Sequence, residues 1–108
     1  MKIYISGPIT GLDEAEAFEN FEKAEKYFIS KSYEVINPMK LEHNHDLSWE
    51  SYMRVDLKAM LDCDGIALLD NWEQSKGAQV EHRLAQDLKM DIWIQPFQNN
   101  GSFVKINK

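Results

Sequence analysis

Two carboxylates occupy positions that a helical pattern reserves for apolar side chains. The apolar positions of one predicted helix, at 49, 52, 53, 57, 60 and 61, place Asp56 on the same stripe. In a later helix, Glu81 lies on the stripe that the apolar positions 78, 85 and 88 form. A carboxylate on a core-facing stripe is costly unless it is paired, hydrogen-bonded or lining a cavity. Both could be boundary residues or partners of Arg54, Arg83 or a neighbouring lysine, but two such positions in one chain favour a shared polar pocket.

Two loops have the composition of a cradle for a phosphate or a sugar. Residues 6–11 follow a predicted strand and combine two glycines with two hydroxyl side chains, so their backbone N–H groups can turn toward an anion. Ser75 begins a predicted helix, where it is either only an N-cap or also a donor to a phosphate or ribose oxygen. The substrate-binding candidates in these two loops are Gly7, Pro8, Ile9, Thr10, Gly11, Ser75 and Gly77.

Polar and aromatic side chains follow the third predicted strand. Asp70 ends this strand, and it is either a functional group or a turn residue that bonds to nearby backbone. Trp72 is the best candidate for stacking on a base. His43 and His45 form an H-x-H pair without a further set of ligands, so we predict no metal site there. We expect His82 to be exposed, because adjacent helical residues point about 100° apart.

Four short apolar runs alternate with three helical patterns. The runs span residues 2–6, 33–36, 65–69 and 91–95, each about the length of a buried parallel strand. This alternation predicts a parallel sheet with right-handed crossovers. We therefore predict an α/β fold, a three-layer doubly wound sandwich with a parallel four- to five-stranded sheet of the flavodoxin or Rossmann kind. In such folds ligands bind beyond the carboxyl ends of the strands, here residues 7–13, 37–48 and 70–77.

The helix starts carry capping signals. Asp13 with Glu16 has the form of a capping box, and Ser48 and Ser75 are the predicted starts of the second and third helices. The apolar face of the first helix contains Ala17, Phe18, Phe21, Ala24 and Phe28. The apolar stripe of the second contains Trp49, Tyr52, Met53, Leu57, Met60 and Leu61. The third helix has its apolar stripe at Ala78, Ala85 and Leu88.

Length and charge restrict the class of protein. The 108 residues fit one domain, and we assign residues 1–96 to it and 97–108 to a C-terminal tail or edge strand. A formal charge of −6 disfavours a nucleic acid polymer as partner, although backbone N–H groups can hold a single phosphate. The single cysteine, Cys63, forms no disulfide framework, so a reducing, cytoplasmic setting is expected. No apolar run approaches the roughly 20 residues that span a membrane, so we expect no membrane association.

The motifs together resemble the nucleoside 2-deoxyribosyltransferase-like superfamily, in particular its short, uncharacterised phage and bacterial branch. The opening Tyr4-Ile5-Ser6-Gly7-Pro8-Ile9-Thr10-Gly11 resembles the first-strand motif of that superfamily. Asp56-Leu57 resembles its helical aspartate. The run Asp70-Asn71-Trp72, followed by Ser75-Lys76-Gly77-Ala78-Gln79-Val80-Glu81, resembles the signature that ends in the catalytic glutamate.

The resemblance implies an N-glycosyl hydrolase or a deoxyribosyltransferase with a retaining mechanism. Glu81 would attack the anomeric carbon, and Asp56 would bind sugar hydroxyls or assist protonation of the leaving base. Tyr4 would hydrogen-bond Glu81, and Ser75 matches a serine that holds a 5′-phosphate in one branch. The implied substrate is a small nucleoside or nucleotide. The implied assembly is a homodimer or larger homo-oligomer, and no cofactor is expected.

Two departures from the superfamily pattern keep other functions open. The phosphate-binding branch carries an arginine in the first loop, where this chain has Thr10 or its neighbours. The superfamily often has Leu-Gly after the glutamate, where this chain has His82 and Arg83. The alternative is a non-catalytic nucleotide-binding or sensing module that uses the same pocket. A third possibility is a structural protein that only oligomerises.

Overall fold

A mostly parallel sheet forms the central layer of the molecule. The computed structural model describes residues 1–9, 11–96 and 102–107. Within these ranges the strands are β1 (Lys2–Ser6), β2 (Glu34–Ile36), β3 (Gly65–Leu68), β4 (Asp91–Ile94) and β5 (Val104–Lys105). Their order in the sheet is β2-β1-β3-β4-β5, with β1 to β4 parallel and β5 antiparallel to β4. This arrangement confirms the predicted α/β fold, and it places the switch in strand order between β1 and β3.

Helices cover both faces of this sheet. The long helices are α1 (Glu14–Ser30), α2 (Trp49–Leu61) and α3 (Lys76–Asp87), and short 3₁₀ turns lie at Pro38–Lys40 and Trp72–Gln74. On one face, Phe21 and Phe28 of α1 pack with Ile3 and Ile5 of β1. On the other face, α2 and α3 pack on the side chains that point the opposite way, including Tyr4 of β1. The side-chain alternation of β1 therefore divides the core into two layers.

The helices begin where the capping signals predict. Asp13 accepts a hydrogen bond from the Glu16 N–H at 3.3 Å. Ser48 accepts from the Ser51 N–H at 3.2 Å. Ser75 accepts from the Ala78 N–H, also at 3.2 Å. Each cap satisfies one of the free N–H groups of the first turn and so fixes which residues of the helix face the sheet.

Several side chains assigned to the apolar stripes are exposed. Phe18 is 43% exposed, because the buried positions of α1 recur at 17, 21, 24 and 28 and leave residue 18 at the edge of the stripe. Trp49 and Leu61 lie at the two ends of α2 and are 36% and 56% exposed. Leu88 is the C-cap of α3 and is 51% exposed. The predicted stripes are therefore wider and longer than the surface that the sheet covers.

Within the range 97–108, which we assigned to a tail or an edge strand, the structure has the short strand β5. β5 pairs with β4, and Phe103 just before it is buried against the α1 side of the core. The side chain of Asn107 accepts from the Ile92 N–H at 2.7 Å and donates to the Met90 carbonyl at 2.8 Å. Residues 97–101, which begin the predicted tail, lie outside the described residues. Among the described helices, none is both long and apolar enough to cross a membrane.

Two phenylalanines of α1 provide a test of this packing. Phe21 is fully buried, so Phe21→Ala should lower the free energy of unfolding by about 3–5 kcal/mol. Phe18→Ala, one residue earlier on the same helix, should change it by less than about 1 kcal/mol, because that ring already contacts solvent. Urea denaturation followed by circular dichroism measures both values. Equal losses for the two variants would contradict the orientation of α1.

Candidate active site

Glu81 is a buried acid on the inner face of α3. The cap at Ser75 sets the rotation of the helix, so that Ala78, Glu81 and Ala85 face the sheet. Glu81 is only 4% exposed. The position that interrupts the apolar stripe in the sequence therefore does point inward, and its carboxylate requires polar partners.

Two hydroxyl groups from β1 provide those partners. Tyr4 Oη donates to Glu81 Oε2 at 2.7 Å, and Ser6 Oγ donates to Glu81 Oε1 at 2.6 Å. Tyr4 and Ser6 are two residues apart on one strand, so both side chains leave the same face of the sheet. The hydrogen bond expected between Tyr4 and Glu81 is present. Each carboxylate oxygen accepts one short hydrogen bond and keeps lone pairs for a ligand.

Ser6 is a site residue that the sequence analysis did not single out for contact with Glu81. It was noted only as the first hydroxyl of the loop that follows β1. The available signal was its spacing from Tyr4, because alternate residues of a strand share a face. A serine at the end of a strand is also common in turns, so this signal alone is weak.

The environment of Glu81 favours its protonated form. Burial, with a smaller contribution from the negative charge of Asp56, raises the pKa of Glu81 to about 7, against the opposing effect of the hydrogen bonds from Ser6 and Tyr4. Burial and the nearby charges of Glu81 and Asp56 hold the pKa of Tyr4 well above its ordinary value. Tyr4 therefore stays a neutral donor while Glu81 titrates near neutrality.

Asp56 is the second carboxylate of this site. Its side chain is 13% exposed, and burial raises its pKa to about 6 while His43 and His45 oppose that rise. Its charge acts on both Glu81 and Tyr4, so it belongs to the same electrostatic unit. Among the described residues, neither carboxylate forms an ion pair with an arginine. The interpretation of these acids as simple partners of Arg54 and Arg83 is therefore wrong.

The loops after β1 and β3 lie side by side because these strands are neighbours in the sheet. Gly7 allows a close backbone approach, since a Cβ there would lie 2.7 Å from the side chain of Leu69. Gly11 has a φ of +89°, a conformation that favours glycine. Asp70 is half-buried, and its N–H donates to the Gln95 side chain at 3.0 Å.

The other residues of the loop at 6–11 differ in their exposure to solvent. Pro8 is half-buried and Ile9 is exposed. Thr10 lies outside the described residues.

The start of α3 brings several of the predicted binding residues together. The Ser75 hydroxyl serves as the N-cap, which leaves its hydrogen free to donate. Gly77 faces α2, where a Cβ would lie 3.1 Å from Met53 Sδ. The Trp72 ring centroid lies 4.4 Å from that of His82. The expectation that His82 is exposed is wrong: it is half-buried against Trp72, and burial lowers its pKa.

The loop before α2 reaches Asp56 through two histidines. His43 Nδ1 and His45 Nε2 are 2.8 Å apart, and His43 Nε2 lies 3.7 Å from Asp56 Oδ1. In the ranges that the structure describes, no three His, Cys, Asp or Glu side chains are grouped so as to hold a metal ion. The two rings contact each other, and His43 alone of the two lies within 4 Å of Asp56 among the described contacts.

The buried carboxylates provide a test through the pH dependence of stability. Because the pKa of Glu81 is raised to about 7 in the folded protein, its contribution to stability is complete below about pH 4.5 and is lost as the pH rises through 7. As the pH rises from 4.5 to 7, the free energy of unfolding of Glu81→Gln should therefore increase relative to that of wild type by on the order of 3 kcal/mol. Urea denaturation at a series of pH values measures this difference.

Two further variants complete this pH test. The free energy of unfolding of Asp56→Asn should increase relative to that of wild type at lower pH, between about 4 and 6, because the pKa of Asp56 is raised only to about 6. Glu19→Gln, on the solvent face of α1, is the control for the loss of one carboxylate. A pH dependence shared equally by the Glu19 and Glu81 variants would contradict burial as the cause.

Comparisons with known proteins define the family. No curated protein sequence matches the chain. A 2-deoxyribosyltransferase from the psychrotolerant bacterium Bacillus psychrosaccharolyticus shares the fold, with a TM-score of 0.68 and 20% sequence identity over 87% of this chain and 71% of the other. The profile of the family DUF4406, described as a domain of unknown function, matches residues 1–94. Because this match spans most of the chain, the protein belongs to the DUF4406 family.

Proposed function

We propose that the protein is a nucleoside or nucleotide N-glycosyl hydrolase or deoxyribosyltransferase in which Glu81 is the nucleophile. The observation that carries this proposal is a buried carboxylate that accepts hydrogen bonds from two hydroxyl groups of β1 and feels the charge of a second carboxylate, Asp56. Enzymes that cleave glycosidic bonds commonly use such a pair of acids. The fold shared with a 2-deoxyribosyltransferase supports the same class of substrate.

The first step forms a bond between Glu81 and the sugar. A lone pair of the ionised carboxylate attacks the anomeric carbon while the bond from that carbon to the base nitrogen breaks. The electron pair of the broken bond stays on the base, which takes up a proton with assistance from Asp56. Asp56 could also bind sugar hydroxyls. Tyr4 and Ser6 hold Glu81 in place because each donates to one of its oxygens.

The second step releases the sugar from Glu81. In a hydrolase, the oxygen of a water molecule attacks the anomeric carbon and the electron pair returns to the Glu81 carboxylate. In a transferase, a nitrogen of a second base attacks the anomeric carbon instead, and the electron pair again returns to the Glu81 carboxylate. Glu81 leaves as a carboxylate with that electron pair, and the proton lost by the water or the incoming base passes to Asp56, which replaces the proton given to the departing base.

The substrate would lie across the strand ends between the first loop and the start of α3. We assign its binding to Gly7, Pro8, Ile9, Thr10, Gly11, Asp70, Trp72, Ser75 and Gly77. The free N–H groups at the start of α3 and the Ser75 hydroxyl suit a 5′-phosphate. Lys76 Nζ lies 4.0 Å from the centroid of the Trp49 ring. This contact holds the positive charge of Lys76 near the start of α3. The implied homo-oligomer stays a prediction, which light scattering of the purified protein would check.

Base release from nucleosides and their monophosphates tests the proposed reaction. Glu81→Ala should lower the rate by at least about 1,000-fold, because it removes the nucleophile. The matched control is Glu19→Ala, which removes an exposed carboxylate from α1 and should leave the rate unchanged. Mass spectrometry of wild-type protein quenched in acid should detect a sugar adduct on Glu81. Base release without any dependence on Glu81 would overturn the assignment.

Calorimetry with the same compounds separates the alternative functions. Binding together with base release supports the enzyme. Tight binding without release, in wild type and in Glu81→Ala alike, would instead assign a nucleotide-binding module. A protein that binds none of the compounds would contradict both functions.

The pH dependence of catalysis tests the protonation state of the nucleophile. Only the ionised carboxylate can attack, and the pKa of Glu81 is raised to about 7. We therefore expect kcat/KM to rise about tenfold per pH unit below 7 and to level off above it. Ser6→Ala removes a hydrogen bond that lowers this pKa, so the rise should move to higher pH. An unchanged profile in this variant would contradict the role of Ser6.

A further inference from the structure

Gly7 lies at a close approach between the end of β1 and the end of β3. A Cβ at position 7 would lie 2.7 Å from both Cβ and Cδ1 of Leu69. Non-bonded carbon atoms normally approach to about 3.5–4.0 Å, so this space admits no side chain. The Leu69 N–H donates to the Ser6 carbonyl at 2.8 Å across the same point. The missing side chain of Gly7 therefore lets the two backbones stay in hydrogen-bond contact.

A change of rotamer at Leu69 would not make room for a side chain at position 7. Rotation about χ1 moves Cδ1 of Leu69, but it leaves Cβ in place because that atom is attached to the backbone. Leu69 is also 3% exposed and belongs to the core cluster on the α1 face of the sheet. A side chain at position 7 would therefore have to displace the backbone of one of the two strand ends.

The end of β3 is held in place from its other side. The Gln95 N–H donates to the Leu68 carbonyl at 2.9 Å, and the Trp72 N–H donates to the Leu69 carbonyl at 3.2 Å. The end of β1 continues instead into the loop at residues 8–12, whose described residues are half-buried or exposed. The displacement should therefore fall on the end of β1.

Ser6 is the residue of β1 that this displacement would reach first. It is 1% exposed and bonded on two sides, because its carbonyl accepts from Leu69 and its Oγ donates to Glu81 Oε1 at 2.6 Å. Hydrogen bonds between oxygen atoms are made at about 2.5–3.0 Å, so a shift of the backbone would lengthen or break this bond. Tyr4 lies within the paired part of β1, and its own bond to Glu81 should persist.

We propose that Gly7 is a positioning residue for the candidate nucleophile, because its lack of a side chain keeps Ser6 in contact with Glu81. This role is separate from the substrate contact assigned to Gly7 above. Its value for catalysis rests on the proposed function, whereas the contact of Ser6 with Glu81 can be measured without substrate.

The titration of Glu81 reports whether Ser6 is in place. Burial raises the pKa of Glu81, the charge of Asp56 on α2 raises it further, and the hydrogen bonds from Ser6 and Tyr4 of β1 lower it. Without the Ser6 bond, Tyr4 alone would oppose burial and Asp56, so the pKa of Glu81 should rise above about 7. A side chain at position 7 should therefore have the same effect as loss of the Ser6 hydroxyl.

Carbon-13 NMR of protein labelled at the glutamate carboxyl carbons tests this role without substrate. The signal of Glu81 is the one that Glu81→Gln lacks, and exposed glutamates titrate far lower, near about pH 4.3. In Gly7→Ala the titration of Glu81 should move to higher pH by about one unit, as in Ser6→Ala. Gly7→Ala should cause no further shift when Ser6 is already alanine. An unchanged titration in Gly7→Ala, or an equal further shift in the double variant, would overturn the proposal.

Gly65→Ala is the matched control for a merely structural effect. A Cβ there, at the amino end of β3, would lie 2.7 Å from the Trp93 side chain and 2.9 Å from the Asp91 carbonyl. This variant should lose stability as Gly7→Ala does, but its Glu81 should titrate as in wild type. Both variants are measured in trimethylamine N-oxide, an osmolyte that favours the folded state. A shift shared equally by the two variants, or a Gly7→Ala protein that stays unfolded in the osmolyte, would overturn a displacement confined to the end of β1.

Kinetics extends the test to the proposed reaction. In Gly7→Ala the rise of kcat/KM should move to higher pH together with the titration of Glu81. A glycine that only contacted substrate would instead raise KM while Glu81 titrated as in wild type, and that result would overturn the proposal. Failure of wild type to release any base would defeat the glycosyl reaction, whereas the position of Ser6 is decided by NMR.

Discussion

The burial of one carboxylate against two hydroxyl groups constrains the rest of the structure. Glu81 is tolerated inside the protein because Tyr4 and Ser6 each donate to one of its oxygens. Those donors require β1, which lies between β2 and β3, to direct alternate residues toward α3. They also require α3 to start at Ser75, because a shift of one residue would present Val80 or His82 instead. The sheet register and the helix cap are therefore both needed to bring Glu81 to Tyr4 and Ser6.

The sequence predicted the elements well because each carries a local signal. The buried strands are short apolar runs, and the helix starts are marked by Asp13, Ser48 and Ser75. Glu81 and Asp56 could be singled out because they interrupt apolar stripes. The exposure of Phe18 could not be predicted, because periodicity gives the direction of an apolar stripe and not the extent of the surface that covers it. The contact of His43 with Asp56 joins a loop to a helix, and no sequence period records such a contact.

Glu81 and Asp56 differ in their surroundings although the charge of one acts on the other. Both have a raised pKa because both are buried, but only Glu81 has hydroxyl donors on each oxygen, and only Asp56 has imidazole neighbours. Enzymes often separate the roles of paired carboxyl groups in this way. In the mechanism proposed for this protein, the nucleophile is fixed by two hydroxyl donors, and the second acid lies 3.7 Å from an imidazole nitrogen.

The hydrogen bonds of Glu81 join residues that are 77 and 75 positions apart in the chain. During synthesis the two hydroxyl groups are made at the beginning and their acid long afterwards, so a nascent chain has no site until α3 has left the ribosome. Closing a contact between residues so far apart in the chain costs loop-closure entropy, which slows its formation. A chain that ends before α3 would therefore lack the acid that the two hydroxyl groups contact.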